Sequence, residues 1–480
     1  MASDPALAPT RPSFALLLAA GLGTRMRSPL AKVLHPALGR PLVTWAVDAA
    51  RAAALLPVVV VNHQEDAVRA ALADRGCRFA RQEAPRGTGD AVASGLQAID
   101  EDGVVVVLCG DGPLIRAETL RGLCAAHAAG GRPVTVLTMR LAAPGAYGRI
   151  VRDGEGRVLR IVEAGEASPQ ELAITEVNTG IYALDIAWLR ATLPGLRPHP
   201  PKGELYLTDV VERAAAEGGA HGLLLDDARE AMGVNDRAQL AEAEGILQER
   251  VLRAWMEAGV GVEAPASVTV EAEVELGPDA AIERGAVLRG RTRVGAGARV
   301  GAYSVLVDAE LEPGAQVLPH CALESCTVAS GASVGPFARL RPEARVEEGA
   351  KVGNFVEIKK ARIAPGAKVP HLSYVGDATV GAGANIGAGT ITCNYDGVFK
   401  HHTEIGPGAF IGSNSALVAP VRVGAGALVG AGSVITKDVP DDAVALTRAK
   451  QEHWPDAARR LRERKLAEKA RRGGATPPKH

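Results

Sequence analysis

Between Val270 and Ile435 an aliphatic residue returns at every sixth position. Val270, Leu276, Ile282, Leu288, Val294, Val300 and Leu306 keep the step unbroken. After single steps of five it continues through Leu311, Val317 and Leu323, then from Val328 to Ile358, from Ile363 to Val375, and through Val380 and Ile386. A gap follows, and the count resumes from Ile405 to Ile435. A six-residue period predicts short parallel rungs stacked into a β-helix, three rungs to a turn. A β-sandwich would instead alternate every second residue and space its strands irregularly. Glycine often follows the aliphatic position, as at Gly301, Gly353 and Gly412. The expectation is that it permits the corner geometry of each rung.

Upstream the pattern changes. Phe14–Ala20, Pro57–Val61, Val104–Leu108, Val134–Leu137 and Gly180–Leu184 read as buried strands. Helical patterns lie between them at Leu42–Ala54, Ala67–Ala73 and Gly89–Ala98. Such alternation predicts an α/β domain with a Rossmann-like, mostly parallel sheet and ligands beyond the carboxyl ends of its strands. Asp236–Ala258 reads as one amphipathic helix with Leu240, Leu247, Val251 and Trp255 on one side, Asp236 as N-cap and Gly259 as stop. The expected domains are therefore residues 1–237, a helical linker 238–258, and the repeat domain 259–480. Residues 1–12 read as a disordered leader. From Arg448 onward, 11 Lys/Arg stand against 4 Asp/Glu, a basic tail that is either solvated or an aid to an anionic substrate or nucleic acid.

With a net charge of −1 over 480 residues, no global field argues for nucleic acid or a membrane surface. Phe14–Ala20 is too short to span a bilayer. The six cysteines form no CxxC pair, which speaks against a zinc site and for a reduced, cytoplasmic setting.

Candidate chemistry falls at a few places. The turn Gly21-x-Gly23-Thr24 follows a strand and could approach a phosphate with its backbone N–H groups, or be only a tight turn. Asp111, at the end of a strand, either caps the next helix or holds Mg²⁺. Lys32 could neutralise phosphate or lie on the surface, and Asn235 alone reads as a turn residue. In the repeat, Arg341 and Lys359 place cations on rungs, and His371 lies near Tyr374. The interruption after Ile386 contains a loop with Asn394 and Tyr395, and such an excursion from a solenoid is usually functional or reaches another chain.

Taken together, Leu18-Ala-Ala-Gly-Leu-Gly-Thr-Arg-Met26 and Lys32-Val-Leu-His35 resemble the sugar-phosphate nucleotidyltransferases. Gln82, Gly87-Thr-Gly89, Gly110-Asp111, Tyr147-Gly-Arg-Ile150, Ile161-Val-Glu163, Asn178-Thr-Gly180 and Gly233-Val-Asn235 follow in that family's order. Further along, Gly335–Pro342, Gly353–Ala361, His371–Asp377 and Asn385–Gly397 resemble the bifunctional bacterial enzymes of UDP-N-acetylglucosamine synthesis. That resemblance implies acetyl transfer from acetyl-CoA to glucosamine 1-phosphate. It then implies uridylyl transfer from UTP to N-acetylglucosamine 1-phosphate, with Mg²⁺.

The same resemblance assigns roles. Leu18, Ala19, Ala20, Gly21, Gln82, Gly87 and Thr88 match nucleotide-binding positions, and Lys32 matches the phosphate-binding lysine. Cys109 and Gly110 line that site, and Asp111 and Asn235 match the metal pair. Gly148, Glu163 and Asn178 match positions that recognise the amino sugar. In the repeat, His371 matches the general base, and Arg341, Lys359, Tyr374 and Asn385 match sugar-phosphate contacts. Ala388, Asn394, Tyr395, Ser413, Ala431 and Arg448 match acetyl-CoA contacts. The family's β-helix is left-handed and forms a homotrimer with active sites between subunits; neither nucleic acid nor membrane insertion is expected. Ala31, Gly112 and Gly165 depart from the family pattern without removing a reacting group. Two rival readings remain: a nucleotidyltransferase whose β-helix only oligomerises, and a sugar-nucleotide sensor.

Overall fold

The computed structural model describes residues 12–201 and 203–472, in two compact units, Met1–Arg293 and Val294–His480. The expected leader, apart from Pro12, lies outside the described residues.

The first unit is built on a nine-stranded sheet. Its strands are β1 (Ser13–Leu18), β2 (Leu56–Val61), β3 (Arg78–Arg81), β4 (Val104–Cys109), β5 (Val134–Arg140), β6 (Arg149–Arg152), β7 (Val158–Val162), β8 (Glu176–Asp185) and β9 (Ala220–Leu224). The order is β9-β5-β8-β4-β1-β2-β3, with β6 beside β8 and β7 beside β6. Strands β1, β2, β3 and β4 pair in parallel, whereas β8 runs antiparallel to β4, β5 and β6.

The central strands read as unbroken apolar runs because both faces are buried. Ala15 and Leu17 enter one hydrophobic cluster and Phe14 and Leu16 the other, with helices covering each face. Strand β3 carries arginines at both ends, which hid it from an apolar pattern. The register sets Leu18 beside Cys109, so the turn after β1 and the turn after β4 emerge side by side at the carboxyl edge.

The connector helix spans Arg237–Glu257, and its Asp236 cap accepts from Gln239 N at 2.9 Å. Leu240, Ala243 and Leu247 pack with Met26, Leu42, Leu114 and Val234. The first rungs belong to this unit and pair in parallel, Gly261 with Ala281 and Thr269 with Val287.

The second unit continues as a left-handed parallel β-helix. Arg299 pairs with Gln316, Gln316 with Ser333, Ser333 with Lys351, Lys351 with Lys368, and Lys368 with Asn385. Each step is one coil of three hexapeptides, shortened where the count steps by five. Asn385 next pairs with Phe410, and the extra residues between them form the excursion expected from the gap. Every aliphatic residue at the six-residue count is buried, with Leu276 the most exposed at 7 %.

Most of the glycines after these aliphatic positions act otherwise than expected, Gly335 with φ +103° being an exception. Gly301 is not left-handed; a Cβ there would lie 2.5 Å from the Pro319 nitrogen of the next coil. Its role is close approach between coils, while the corners turn at residues such as Gly297, with φ +65°. Several corners are bulky instead. Tyr303, His320, Phe337 and Phe355 all have φ between +55° and +61° and stack ring on ring, with centroids 4.9 to 5.4 Å apart. Leu372, at φ +50° and 62 % exposed, occupies a corner of the same kind. The basic tail forms a helix, Ala457–Arg471, that buries none of its residues.

Candidate active sites

At the carboxyl edge of the first unit's sheet, the turn after β1 is tight because Gly23 is left-handed, with φ +63°, and a Cβ there would strike Lys32 Cβ. That closeness brings Lys32 back over the strand ends. Its ammonium donates to Asp111 Oδ2 and, at 3.2 Å, to Asn235 Oδ1. The Lys32 and Asp111 side chains are 16 % and 14 % exposed. Asn235 is delivered by a segment tied to the β4 turn, since Val234 N donates to the Asp111 carbonyl at 2.9 Å. Three residues far apart in sequence thus meet around one cation.

A cavity of about 560 Å³ opens beside them, lined by Leu18, Ala20, Gly21, Gln82, Gly87 and Thr88 together with Lys32, Cys109 and Asp111. Ala19 is buried beneath, its N–H bonded to the Val60 carbonyl at 2.9 Å, and Gly110 N donates to the Leu18 carbonyl at 3.0 Å. Gln82 is buried and fixed by a 2.8 Å bond to Asp90 Oδ2. Gly87 has φ +101° and passes so near Leu205 that a Cβ would lie 2.5 Å from its carbonyl oxygen. Burial, reinforced by the Asp111 charge, pushes the Cys109 thiol up to about 12, so it lines the site as a neutral group.

A second cavity, about 420 Å³, shares Cys109 and Asp111 and adds Asn235 and Tyr147. Gly148, Glu163 and Asn178 do not line either cavity among the described residues. Asn178 N donates to the Gly148 carbonyl at 2.9 Å, and its side chain bonds Tyr182 OH at 2.7 Å. Glu163 is half-buried and accepts from Thr208 at 3.5 Å; burial raises its carboxyl pKa. Arg25 was missed in the sequence although it lies within the Gly-Thr-Arg-Met turn. Its guanidinium donates to Asn235 Oδ1 at 2.8 Å.

In the second unit the candidate residues string along successive coils. His371 is exposed, and its Nδ1 lies 2.6 Å from Asn354 Oδ1, its partner one coil earlier. With the amide oxygen accepting, Nδ1 is the donor in that bond, and Nε2 is the ring nitrogen left outside it. Arg341 is held by Glu357 Oε1 at 2.9 Å, and Glu357 pairs in register with Tyr374. Asn394 is buried, donating to Asp377 at 2.5 Å and reaching Tyr374 OH at 3.5 Å, so the excursion is pinned to the Tyr374 rung. Lys359 meets Lys400 of the excursion, and this neighbour holds Lys400 below the ordinary lysine range. Asn385 stands apart from Arg341, Lys359 and Tyr374, on the face that carries His371, Lys368 and Phe410.

The remaining positions form a column. The Ala388 carbonyl accepts from Asn414 N at 2.8 Å, the Ser413 carbonyl from Gly432 N at 2.8 Å, and the Ala431 carbonyl from Arg448 at 3.0 Å. Tyr395 is 60 % exposed on the excursion. Asn354, Glu357, Asp377 and Lys400 are the residues that sequence reasoning missed here. Three of them lie one coil from a named residue, so the 17-residue spacing of Asn354 and His371 was the available signal.

Comparison with known proteins agrees over both units. Residues 15–224 match the MobA-like NTP transferase domain, and residues 402–437 match the bacterial transferase hexapeptide (six repeats). A bifunctional protein GlmU of Sorangium cellulosum is 48 % identical over 462 residues, covering 94 % of this chain and 97 % of its own. One of Anaeromyxobacter sp. is 49 % identical, covering 94 % of each chain, and one of Methylococcus capsulatus is 48 % identical, covering 93 % and 98 %.

Proposed function

The chain belongs to the family of bifunctional GlmU proteins, and from that premise we propose how its two sites divide the work. It is an enzyme with acetyltransferase and uridylyltransferase activities. Residues 1–237 carry uridylyl transfer, 238–258 link, and 259–480 carry acetyl transfer from acetyl-CoA to glucosamine 1-phosphate.

In the first site the phosphate oxygen of N-acetylglucosamine 1-phosphate attacks the α-phosphorus of UTP, and pyrophosphate leaves. Leu18 to Gly21, Gln82, Gly87 and Thr88 seat the nucleotide, with Cys109 and Gly110 as its floor. Gly148, Glu163 and Asn178 receive the amino sugar. Asp111 and Asn235 fit Mg²⁺, because both present an oxygen to a point where the Lys32 ammonium already acts as a cation. When bound, the metal supplies charge neutralisation for the phosphates. With a cation held by Asp111 and Asn235, Lys32 would be released to neutralise the triphosphate, and Arg25 would add a second donor from Asn235's side. Positioning and charge balance carry the reaction, so no covalent intermediate is called for.

In the second site His371 Nε2 takes the proton from the sugar amine as it attacks the thioester carbon, and the CoA thiolate leaves. Arg341 and Lys359 hold the sugar phosphate with Tyr374 and Asn385. The column Ala388, Ser413, Ala431 and Arg448 receives acetyl-CoA together with Asn394 and Tyr395. The 2.6 Å contact of His371 Nδ1 with Asn354 Oδ1, which orients the ring, is the observation that carries this half.

The reading includes a homotrimer in a reduced cytoplasmic setting; no helix among the described residues is long and apolar enough to cross a membrane. The exposed stack of Tyr303, Phe337 and Phe355 supports association, since exposed apolar surface of this kind marks an interface. The test is thiol release from acetyl-CoA with glucosamine 1-phosphate, alongside pyrophosphate release from UTP with N-acetylglucosamine 1-phosphate and Mg²⁺. Both are expected from one preparation. Folded protein that releases pyrophosphate but no thiol would reduce the β-helix to an oligomerisation device.

A further inference from the structure

His35 lies three residues beyond Lys32, is 2 % exposed, and has no part in the reaction described above. Its Nδ1 is 3.4 Å from an Arg237 guanidinium nitrogen, two residues beyond Asn235. A guanidinium can only donate, so Nδ1 is the acceptor and the buried ring is neutral. Burial and the Arg237 charge hold the imidazole below the ordinary histidine range, against an opposing pull from the Leu30 carbonyl.

Both partners are tied closely to the site. His35 N donates to the Lys32 carbonyl at 3.2 Å, closing a single tight turn, and the His35 carbonyl accepts from Leu42 N at 3.1 Å. On the other side, Gln239 Oε1 accepts from Asn235 N at 2.8 Å, fixing the start of the connector helix. Arg237 is the first residue of that helix, where the helix dipole disfavours a cation, and no acidic residue lies in the first turn. A local preference broken at the edge of a site points to a functional reason.

We propose that His35 and Arg237 form a positioning pair, which locks the Lys32 segment against the Asn235 segment and so sets the spacing at which Lys32, Asp111 and Asn235 meet. His35 is sealed from solvent and touches no substrate; it acts through Lys32 and Asn235. The inference rests on the uridylyl reading, and pyrophosphate release by the wild-type enzyme tests that reading separately.

The experiment compares His35→Leu and His35→Asn in the full chain. His35→Leu keeps bulk but removes the acceptor. It is expected to lower the uridylyl kcat about tenfold or more, to change KM for UTP less than about threefold, and to leave acetyl transfer intact. His35→Asn puts an amide oxygen near the Nδ1 position and is expected to restore kcat to within about threefold of wild type. Adding Arg237→Met to His35→Leu should cost little more, because the two act as a unit. A full uridylyl kcat in folded His35→Leu, or no rescue by His35→Asn, would overturn the proposal. Should His35→Leu lose both activities together, the exposed Arg237→Met decides alone. A selective loss of uridylyl kcat upholds the pair, and an unchanged kcat overturns it.

Discussion

The two candidate sites are built on different plans. In the first unit the candidate groups are knit together, with Lys32 between Asp111 and Asn235 and little of either charged side chain exposed. In the second unit they lie along an open edge. His371 is exposed, Tyr395 is 60 % exposed, and Lys359 and Lys400 face each other with like charge. A packed site excludes water by itself, whereas an open edge needs a second surface to do so. The first should therefore work within one chain, and the second should depend on assembly.

The sharpest break in that comparison is to silence one site at a time. Asp111→Ala removes the one carboxylate of the proposed metal pair and should lower uridylyl transfer about a thousandfold or more while acetyl transfer persists. His371→Ala should do the reverse, with a loss of about a hundredfold to ten-thousandfold in acetyl transfer. Paired assays of thiol and pyrophosphate release read both. A folded variant that loses both activities at once would end the two-site account.

Next comes the dependence on assembly. Phe337→Asp with Phe355→Asp places charge at one end of the exposed ring stack. Sedimentation should show a shift to monomer, with acetyl transfer falling about a hundredfold and uridylyl transfer held within about threefold. Acetyl transfer at full rate by a monomer would show that the open edge is sufficient alone.

A smaller effect tests how the second site holds phosphate. Lys359 and Lys400 repel one another until an anion comes between them, so Lys400→Ala should raise KM for glucosamine 1-phosphate about tenfold with kcat little changed. A change in kcat alone would place Lys400 elsewhere in the cycle.

The same contrast explains what could be read from the chain without coordinates. The six-residue count identified the β-helix, its buried aliphatic line and the excursion after Ile386, because burial in a narrow interior recurs at fixed spacing. It misled on the glycines, since Gly301 serves the approach of the next coil rather than a corner. Bulky left-handed corners such as Phe337 carry no turn signal in sequence. In the first unit the apolar runs marked the central strands but not β3, where Arg78 and Arg81 mask it, nor the reversal of β8. The resemblance named Lys32, Asp111 and Asn235, yet their meeting on one cation depends on the Gly23 turn and the Val234–Asp111 bond. Asn354, Glu357 and Asp377 carry no motif of their own; only the coil spacing sets them beside His371, Arg341 and Asn394.

The smallest effect concerns pH in the first site. Burial raises the Glu163 carboxyl pKa, with the Thr208 hydroxyl opposing it only at 3.5 Å. A raised pKa means that the fold favours the protonated acid, and that this stability is lost as pH rises through the folded-state value. Binding a sugar hydroxyl requires the opposite, an ionised carboxylate that accepts. KM for N-acetylglucosamine 1-phosphate should therefore climb as pH falls, beginning above the range of an ordinary exposed glutamate. Glu163→Gln, which cannot ionise, should show a higher KM at neutral pH and a flat profile through the same window. If the wild-type KM stays flat while uridylyl transfer remains measurable, Glu163 does not accept from the sugar, and its burial serves the packing around Thr208 alone.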